Sequence, residues 1–134
     1  MIDRNEIVLS THDAATLSAV LATFSPRESP AADAAEELAD MLAGARLVAP
    51  HAIDGDVVAL NSEVTYREMP GGRRRTVQLV HPASADAAAA RISVFAPVAR
   101  ALLGRRAGAQ VPVALPDASI DALHVLSVRA ARPS

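Results

Sequence analysis

The sequence predicts an α+β protein in two parts. Residues 1–50 should form a short lead-in and an antiparallel helical hairpin (a small coiled coil), and residues 51–134 a domain of four or five mostly antiparallel strands with one helix. Apolar residues recur at helical spacing in the first part and alternate with polar residues in the second. Residues 1–56 hold ten acids and three arginines, whereas residues 57–134 hold five acids and ten arginines. This asymmetry indicates either two parts with different partners or a compositional bias without functional meaning.

The hairpin is predicted from two apolar stripes. After an apolar lead-in at residues 7–9, Thr11 is the expected N-cap of the first helix, and Pro30, preceded by Ser29, opens the second. Each helix repeats the spacing i, i+3, i+4, i+7, in the first with Leu17, Val20, Leu21 and Phe24, and in the second with Leu38, Met41, Leu42 and Ala45. At about 1.5 Å per residue the helices span roughly 18 and 25 Å, so the hairpin is short.

The second part is predicted from short alternating runs. Residues 50–56 are interpreted as a linker and residues 57–60 as a buried strand. Residues 64–66 and 76–80 should pair across a turn at residues 70–72, and further strands are expected at 92–94, 111–115 and 123–128. Residues 83–90 are either a loop or one weak helical turn. Together these runs predict a sheet with one helix packed on a face.

That one helix follows the strand at Ile92 and Val94. Pro97 suits its first turn, where a missing N–H costs nothing, and Val98, Ala101 and Leu102 give it an apolar face, which Leu103 can extend. Gly104 stands where a left-handed cap is expected, and Arg105 and Arg106 lie near the negative end of the helix dipole.

Composition excludes several classes of site. Only 2% of residues are aromatic, namely Phe24, Tyr66 and Phe95, too few for a typical base-stacking or planar-cofactor pocket. The absence of cysteine excludes disulfides, thiol catalysis and cysteine-bound zinc. The N-terminus is polar and no apolar run approaches the length of a membrane span, so we expect a cytoplasmic protein without membrane contact.

No catalytic constellation is visible in the sequence. The histidines at 12, 51, 81 and 124 share no metal-ligand spacing, and the serines have no evident activating base. The run Arg73–Arg74–Arg75 either meets phosphate or is a solvated hairpin end. We therefore assign no catalytic residue, metal site or cofactor.

The acids around the predicted hairpin tip are the remaining candidates. Glu28 lies in the loop, and Asp33 and Glu36 share one helix face at i, i+3. Two such carboxylates can ligate Mg²⁺, but acids in a first helical turn also simply suit the positive end of the helix dipole. Local spacing leaves both interpretations open.

Residues 91–108 resemble the Gre-type transcript cleavage factors, and the nearest branch looks like the regulator of nucleoside diphosphate kinase family. The shared pattern is a small apolar strand, a proline loop, Ala-Leu-Leu-Gly, a basic residue and a later glycine; here these are Ile92–Val94, Pro97, Ala101–Gly104, Arg105 and Gly108. That branch's Asn-Ser-x-Val matches residues 61–64, and its apolar-Ala-Pro-Val matches residues 95–98. The resemblance covers residues 57–128 well and the helices by layout. Cleavage factors usually have Ser where this chain has Ala96, and Gly-Asp where it has Gly108–Ala109.

The resemblance implies an FKBP-like C-terminal domain that docks at the rim of the RNA polymerase secondary channel, with the hairpin pointing inward. The implied docking residues are Ser93, Phe95, Ala96, Pro97, Leu102 and Arg105. We expect a monomeric, non-enzymatic transcription regulator that competes with cleavage factors and meets nucleic acid only indirectly. The alternative is a transcript cleavage factor that uses the acids of the hairpin tip. The implied fold also suggests a peptidyl-prolyl isomerase, but Tyr66 and Phe95 are too few rings for such a pocket.

Overall fold

A computed structural model describes residues 6–23, 30–69, 71–113 and 122–129. The helices of these ranges are α1 (Thr11–Thr23), α2 (Pro30–Gly44) and α3 (Pro97–Leu102). The strands are β1 (Val8–Ser10), β2 (Arg46–Val48), β3 (Glu63–Met69), β4 (Arg73–Val80), β5 (Arg91–Ser93), β6 (Gln110–Pro112) and β7 (Ala122–Arg129). None of the described helices is long and apolar enough to cross a bilayer.

The two N-terminal helices turn their predicted apolar stripes towards the core, where the described stripe residues are buried or half-buried. Leu17 of α1 and Leu38 of α2 are fully buried, and the two helices contact each other. Helix α1 is capped by Ser10, whose hydroxyl accepts a hydrogen bond from the Asp13 amide at 3.0 Å, so the predicted cap at Thr11 is one residue late. Helix α2 begins at Pro30 as predicted. The predicted contributions of Phe24 and Ser29 lie outside the described residues.

A two-stranded parallel sheet closes this segment. Strand β1 directly precedes α1, β2 follows α2, and they pair from Val8 with Arg46 to Ser10 with Val48. The sequence predicts an edge strand or packing tail in the lead-in but not its partner. The chain therefore enters the helical segment from β1 and leaves it into β2, and these two strands are neighbours.

The larger sheet has five strands in the order β5–β4–β3–β7–β6. Three of its four pairings are antiparallel, and β4 with β5 is parallel. The core of this sheet includes the strand residues Val64, Tyr66, Leu79 and Val125. Leu102 of α3 packs in the same core. This arrangement confirms the predicted mixed α+β class.

The predicted strand at residues 57–60 is wrong, although Val57 and Val58 are buried as expected. Val57 makes only one isolated bridge, to Arg106. The backbone groups around it are used elsewhere, since the Val58 amide donates to the Arg105 carbonyl at 2.8 Å and the Val58 carbonyl accepts from the Gly104 amide at 2.8 Å. These distant partners replace a ladder of sheet hydrogen bonds.

The predicted linker at residues 50–56 is tied to the domain. It opens with a 3-10 turn at residues 50–52, and Arg106 forms ion pairs with Asp54 at 2.7 Å and Asp56 at 3.5 Å. Residues 83–90 contribute to two 3-10 turns, at 82–84 and 87–89, where the sequence predicts a loop or one weak helical turn. Strand β4 includes Arg73–Arg75 and is longer than predicted.

Candidate functional site

The loop between β5 and α3 is organised by its own hydrogen bonds. The Ser93 hydroxyl accepts from the Phe95 amide at 3.1 Å, and the Ser93 carbonyl accepts from the Ala96 amide at 2.9 Å. Ala96 is the extended N-cap and Pro97 occupies the first helical position, as the sequence predicts. The loop thus holds Pro97 in one conformation before any partner arrives.

The predicted docking residues differ in accessibility. Pro97 is exposed, and Ser93, Phe95, Ala96 and Arg105 are half-buried, so all five reach the surface. Leu102 is 0% exposed and belongs to the core. It therefore packs beneath the surface and is not itself available for contact with a partner. The buried face of α3 is formed by Ala99 and Leu102, with Leu103 just beyond, whereas the predicted Val98 and Ala101 are only half-buried.

Gly104 joins the end of α3 to strand β1. It has φ +80, the left-handed conformation that the sequence predicts. Its carbonyl accepts from the Val8 amide at 2.9 Å, and an added Cβ would collide with Ile7 and lie 3.2 Å from the Val8 carbonyl oxygen. Only glycine allows this close approach, which fixes the loop and helix to the N-terminal part.

A cleft of about 290 Å³ separates α2 from α3 and the end of β6. Its apolar lining comes from Ile7, Met41, Pro97, Ala101, Pro112 and Val113. Glu37 of α2 forms an ion pair with Arg100 of α3 across it. Sequence reasoning missed this pair, because 63 residues separate its members and neither belongs to a predicted motif.

The candidate acids are only partly placed. Glu28 lies outside the described residues, as does the side chain of Asp33, whose backbone is in α2. Glu36 is exposed on α2. Among the described residues, no three His, Cys, Asp or Glu side chains form a group that could hold a metal ion.

Asp13 is a buried carboxylate that links the two parts of the chain. Its Oδ2 accepts from the Leu60 amide at 3.0 Å. Burial raises the pKa of Asp13, while the Leu60 hydrogen bond and the charge of His12 oppose the rise. No local motif pointed to this contact, because Asp13 also suits the first turn of α1.

The two aromatic side chains of the strand domain do not line an open pocket together. Tyr66 is 3% exposed and sits in the core, where burial and then the charge of Glu68 raise its pKa. Phe95 is half-buried and packs against the core from the loop. This placement gives no support to a proline-isomerase pocket.

Three similarities to known proteins accompany this geometry. The family model described as "Transcription elongation factor, GreA/GreB, C-term" matches residues 53–130. The "Regulator of nucleoside diphosphate kinase" of Escherichia coli is 32% identical over 127 residues, which cover 95% of this chain and 91% of that relative. The "Transcription elongation factor GreA" of Azorhizobium caulinodans is 35% identical over 93 residues, which cover 69% of this chain and 59% of that protein.

The structural comparison extends over nearly the whole chain. The "Prokaryotic transcription elongation factor GreA/GreB from Nitrosomonas europaea" matches with a TM-score of 0.74 and 30% sequence identity. The match covers 93% of this chain and 98% of that one. Both the helical segment and the strand domain therefore have counterparts in a single solved structure.

Proposed function

Because the chain belongs to the GreA/GreB family, we propose that it regulates transcription elongation by binding RNA polymerase at the rim of the secondary channel. The observation that carries the proposal is the β5–α3 loop, which presents exposed Pro97 on a preorganised turn. A preorganised loop loses little conformational entropy on binding, and this lowers the cost of association. Ser93, Phe95, Ala96 and Arg105 complete the contact surface, and Leu102 supports it.

In this proposal, residues 51–134 form an FKBP-like domain, and α1 and α2 form an antiparallel hairpin that points into the channel. Helix α1 has 13 residues and α2 has 15. At 1.5 Å per residue they span about 20 and 23 Å, a short reach. The protein then occupies the channel as a monomer in the cytoplasm, without enzymatic activity or cofactor, and competes with transcript cleavage factors.

Binding to core RNA polymerase tests the docking step. Fluorescence-labelled protein should bind the purified core enzyme, and Pro97→Ala should weaken this binding several-fold because Pro97 is an exposed member of the loop. Pro50→Ala is a matched control, since Pro50 is also exposed and occupies the first position of a short helical turn, in a different segment of the chain. Absence of binding at micromolar concentrations, or equal effects of the two variants, would contradict the proposal.

A backtracked elongation complex distinguishes a blocking regulator from a cleavage factor. We expect the protein alone to leave the RNA length unchanged, and to slow the shortening caused by an added cleavage factor. Shortening by the protein alone, abolished in Asp33→Ala and Glu36→Ala, would instead support catalysis by the hairpin-tip acids. Shortening that both variants retain would contradict both mechanisms.

A further inference from the structure

One face of the five-stranded sheet gathers arginines that are far apart in the sequence. The register places Arg74, Arg67 and His124 side by side on β4, β3 and β7. The next row along the strands contains the hydroxyl residues Thr76, Thr65 and Ser127. The third row contains Arg91, Gln78, Glu63 and Arg129. We call these three rows the outer patch; each of its members is exposed or half-buried.

The arginines of the outer patch have no ionic partner among the described residues. Within the described ranges, the arginines that form ion pairs are Arg46, Arg75, Arg100 and Arg106, and none of them belongs to the patch. The Nε of Arg67 is buried and lacks a hydrogen-bond partner in the same described ranges. The patch holds four arginines and one acid, Glu63, so it keeps a net positive charge.

This arrangement costs stability. Arg67 and Arg74 lie directly opposite each other on antiparallel strands, and like charges in such positions destabilise a sheet. A bound anion would remove the repulsion and satisfy the guanidinium donors. In the adjacent row the Thr65 and Thr76 hydroxyls hydrogen-bond to each other at 2.9 Å, which leaves one of their two protons to donate to an anion.

We propose that the outer patch binds single-stranded nucleic acid through its phosphates. Arginine and hydroxyl side chains are the usual donors to phosphate oxygens. The three rows contain no Phe, Tyr or Trp, and His124 is their single aromatic ring, so successive bases find no stacking platform and we expect binding to be independent of sequence. A sheet face is too broad to read base edges in a groove of duplex DNA, which admits a helix or a two-stranded ribbon, so the contact is with the sugar-phosphate backbone.

A protein partner fits the outer patch less well, because protein interfaces are anchored by buried aromatic and apolar side chains. The three rows offer no Phe, Tyr, Trp or aliphatic anchor, and Met69, which borders the Arg67 row at the hairpin end, is a single exposed apolar side chain. The proposal concerns a different surface from the β5–α3 loop. It therefore does not depend on polymerase binding.

The test uses the full chain and fluorescence-labelled homopolymers of uridine and thymidine. We expect both to bind with a dissociation constant of roughly 10⁻⁴ to 10⁻⁶ M, weakening as salt is raised. Arg74→Gln should reduce the slope of log K against log salt by about 0.7, the value for one phosphate contact on a single strand. Arg67→Gln combined with Arg74→Gln should reduce it by about 1.4.

Arg73→Gln is the matched control. Arg73 neighbours Arg74 and loses the same charge, but it pairs in register with Glu68 and belongs to the opposite face of β4. Its slope should equal that of the wild type. Equal slopes in Arg73→Gln and Arg74→Gln would show that the nucleic acid is attracted by net charge and not by the patch, and would overturn the proposal. Absence of binding at low salt would also overturn it, as would stronger competition by polyglutamate than by unlabelled RNA.

Two further measurements separate this proposal from the previous one. Thermal unfolding followed by circular dichroism should show that Arg74→Gln is folded, because the residue is exposed. The same variant should keep its affinity for core RNA polymerase. Loss of polymerase binding together with nucleic-acid binding would place the outer patch in the polymerase interface and overturn its independent role.

Discussion

The carboxylate of Asp13 in α1 accepts a hydrogen bond from the backbone amide of Leu60, 47 residues away, at 3.0 Å. This contact joins the N-terminal helices to the segment that leads into the strand domain. Asp13→Ala removes the acceptor and leaves the half-buried amide without a partner, which should lower the free energy of unfolding by about 1–3 kcal/mol. Asp13→Asn keeps a carbonyl acceptor and should stay close to the wild type. Urea unfolding measures both, and equal losses would contradict this role.

The buried Asp13 carboxyl also predicts a pH effect on stability. Its pKa is raised by burial above the usual 3.8, so just above that pH the folded chain binds this proton more tightly than the unfolded chain. The free energy of unfolding of the wild type, relative to that of Asp13→Asn, should therefore increase as the pH falls from neutrality towards 3.8. This gain is lost as the pH rises through the pKa of Asp13 in the folded chain. Urea unfolding of both proteins at several acidic pH values measures this difference. A difference that is constant with pH would show that Asp13 titrates normally in the fold.

Two glycines separate backbone strain from steric collision. Gly104 and Gly108 have φ +80 and +93, but only Gly104 has neighbours within 4 Å of an added Cβ. Gly108→Ala should cost about 1–2 kcal/mol for the left-handed conformation. Gly104→Ala should cost about 1–3 kcal/mol more because its Cβ meets Ile7 and Val8. Thermal or urea unfolding measures the pair, and identical losses would mean that β1 is not packed against Gly104 in solution.

Pro97 and Leu102 should behave differently although both belong to the α3 segment. Leu102→Ala opens a cavity in the core and should lower the free energy of unfolding by about 2–5 kcal/mol. Pro97→Ala changes an exposed first-turn position and should leave stability nearly unchanged. Chemical unfolding of both variants measures the contrast. Strong destabilisation by Pro97→Ala would mean that any loss of polymerase binding in that variant reflects unfolding.

The ion pair between Glu37 and Arg100 should contribute little to stability. The Glu37 side chain is 68% exposed and that of Arg100 is 15% exposed, so water screens the pair. A double-mutant cycle with Glu37→Gln and Arg100→Gln should give a coupling energy of about 0.2–1 kcal/mol. Raising the salt concentration should weaken it further. A coupling energy of zero would show that α2 and α3 are not held together by this contact.

Local signals predicted those parts of the fold that depend on local chemistry. The start of α3 at Pro97 and the positive φ of Gly104 follow from the conformational limits of proline and glycine, and the structure has both. Alternating burial in β3 follows equally from its sequence. Each of these features is decided within a few residues.

Features that depend on distant partners could not be predicted. Residues 57–60 look like a strand because Val57 and Val58 are apolar. In the structure Val58 bonds to Gly104 and Arg105, and the Leu60 amide donates to Asp13, all distant in the sequence. The Arg73–Arg75 run divides between the two faces of β4, and only the register brings Arg74 beside Arg67. The resemblance names Leu102 as a docking residue although the apolar pattern of α3 places it on the packed face, and the structure follows the pattern, because Leu102 is fully buried.

The parallel pairing of β1 with β2 has an engineering consequence. Helix α1 starts where β1 ends and α2 stops just before β2 begins, so residues 11–45 are joined covalently to the rest of the chain at two adjacent points. The Asp13–Leu60 and Glu37–Arg100 contacts add two non-covalent attachments. An insert that adds matched turns to both helices would lengthen the helical arm without altering the strand register below it. The arm is thus an exchangeable module, and chimaeras with arms of graded length would measure how far it must extend to act.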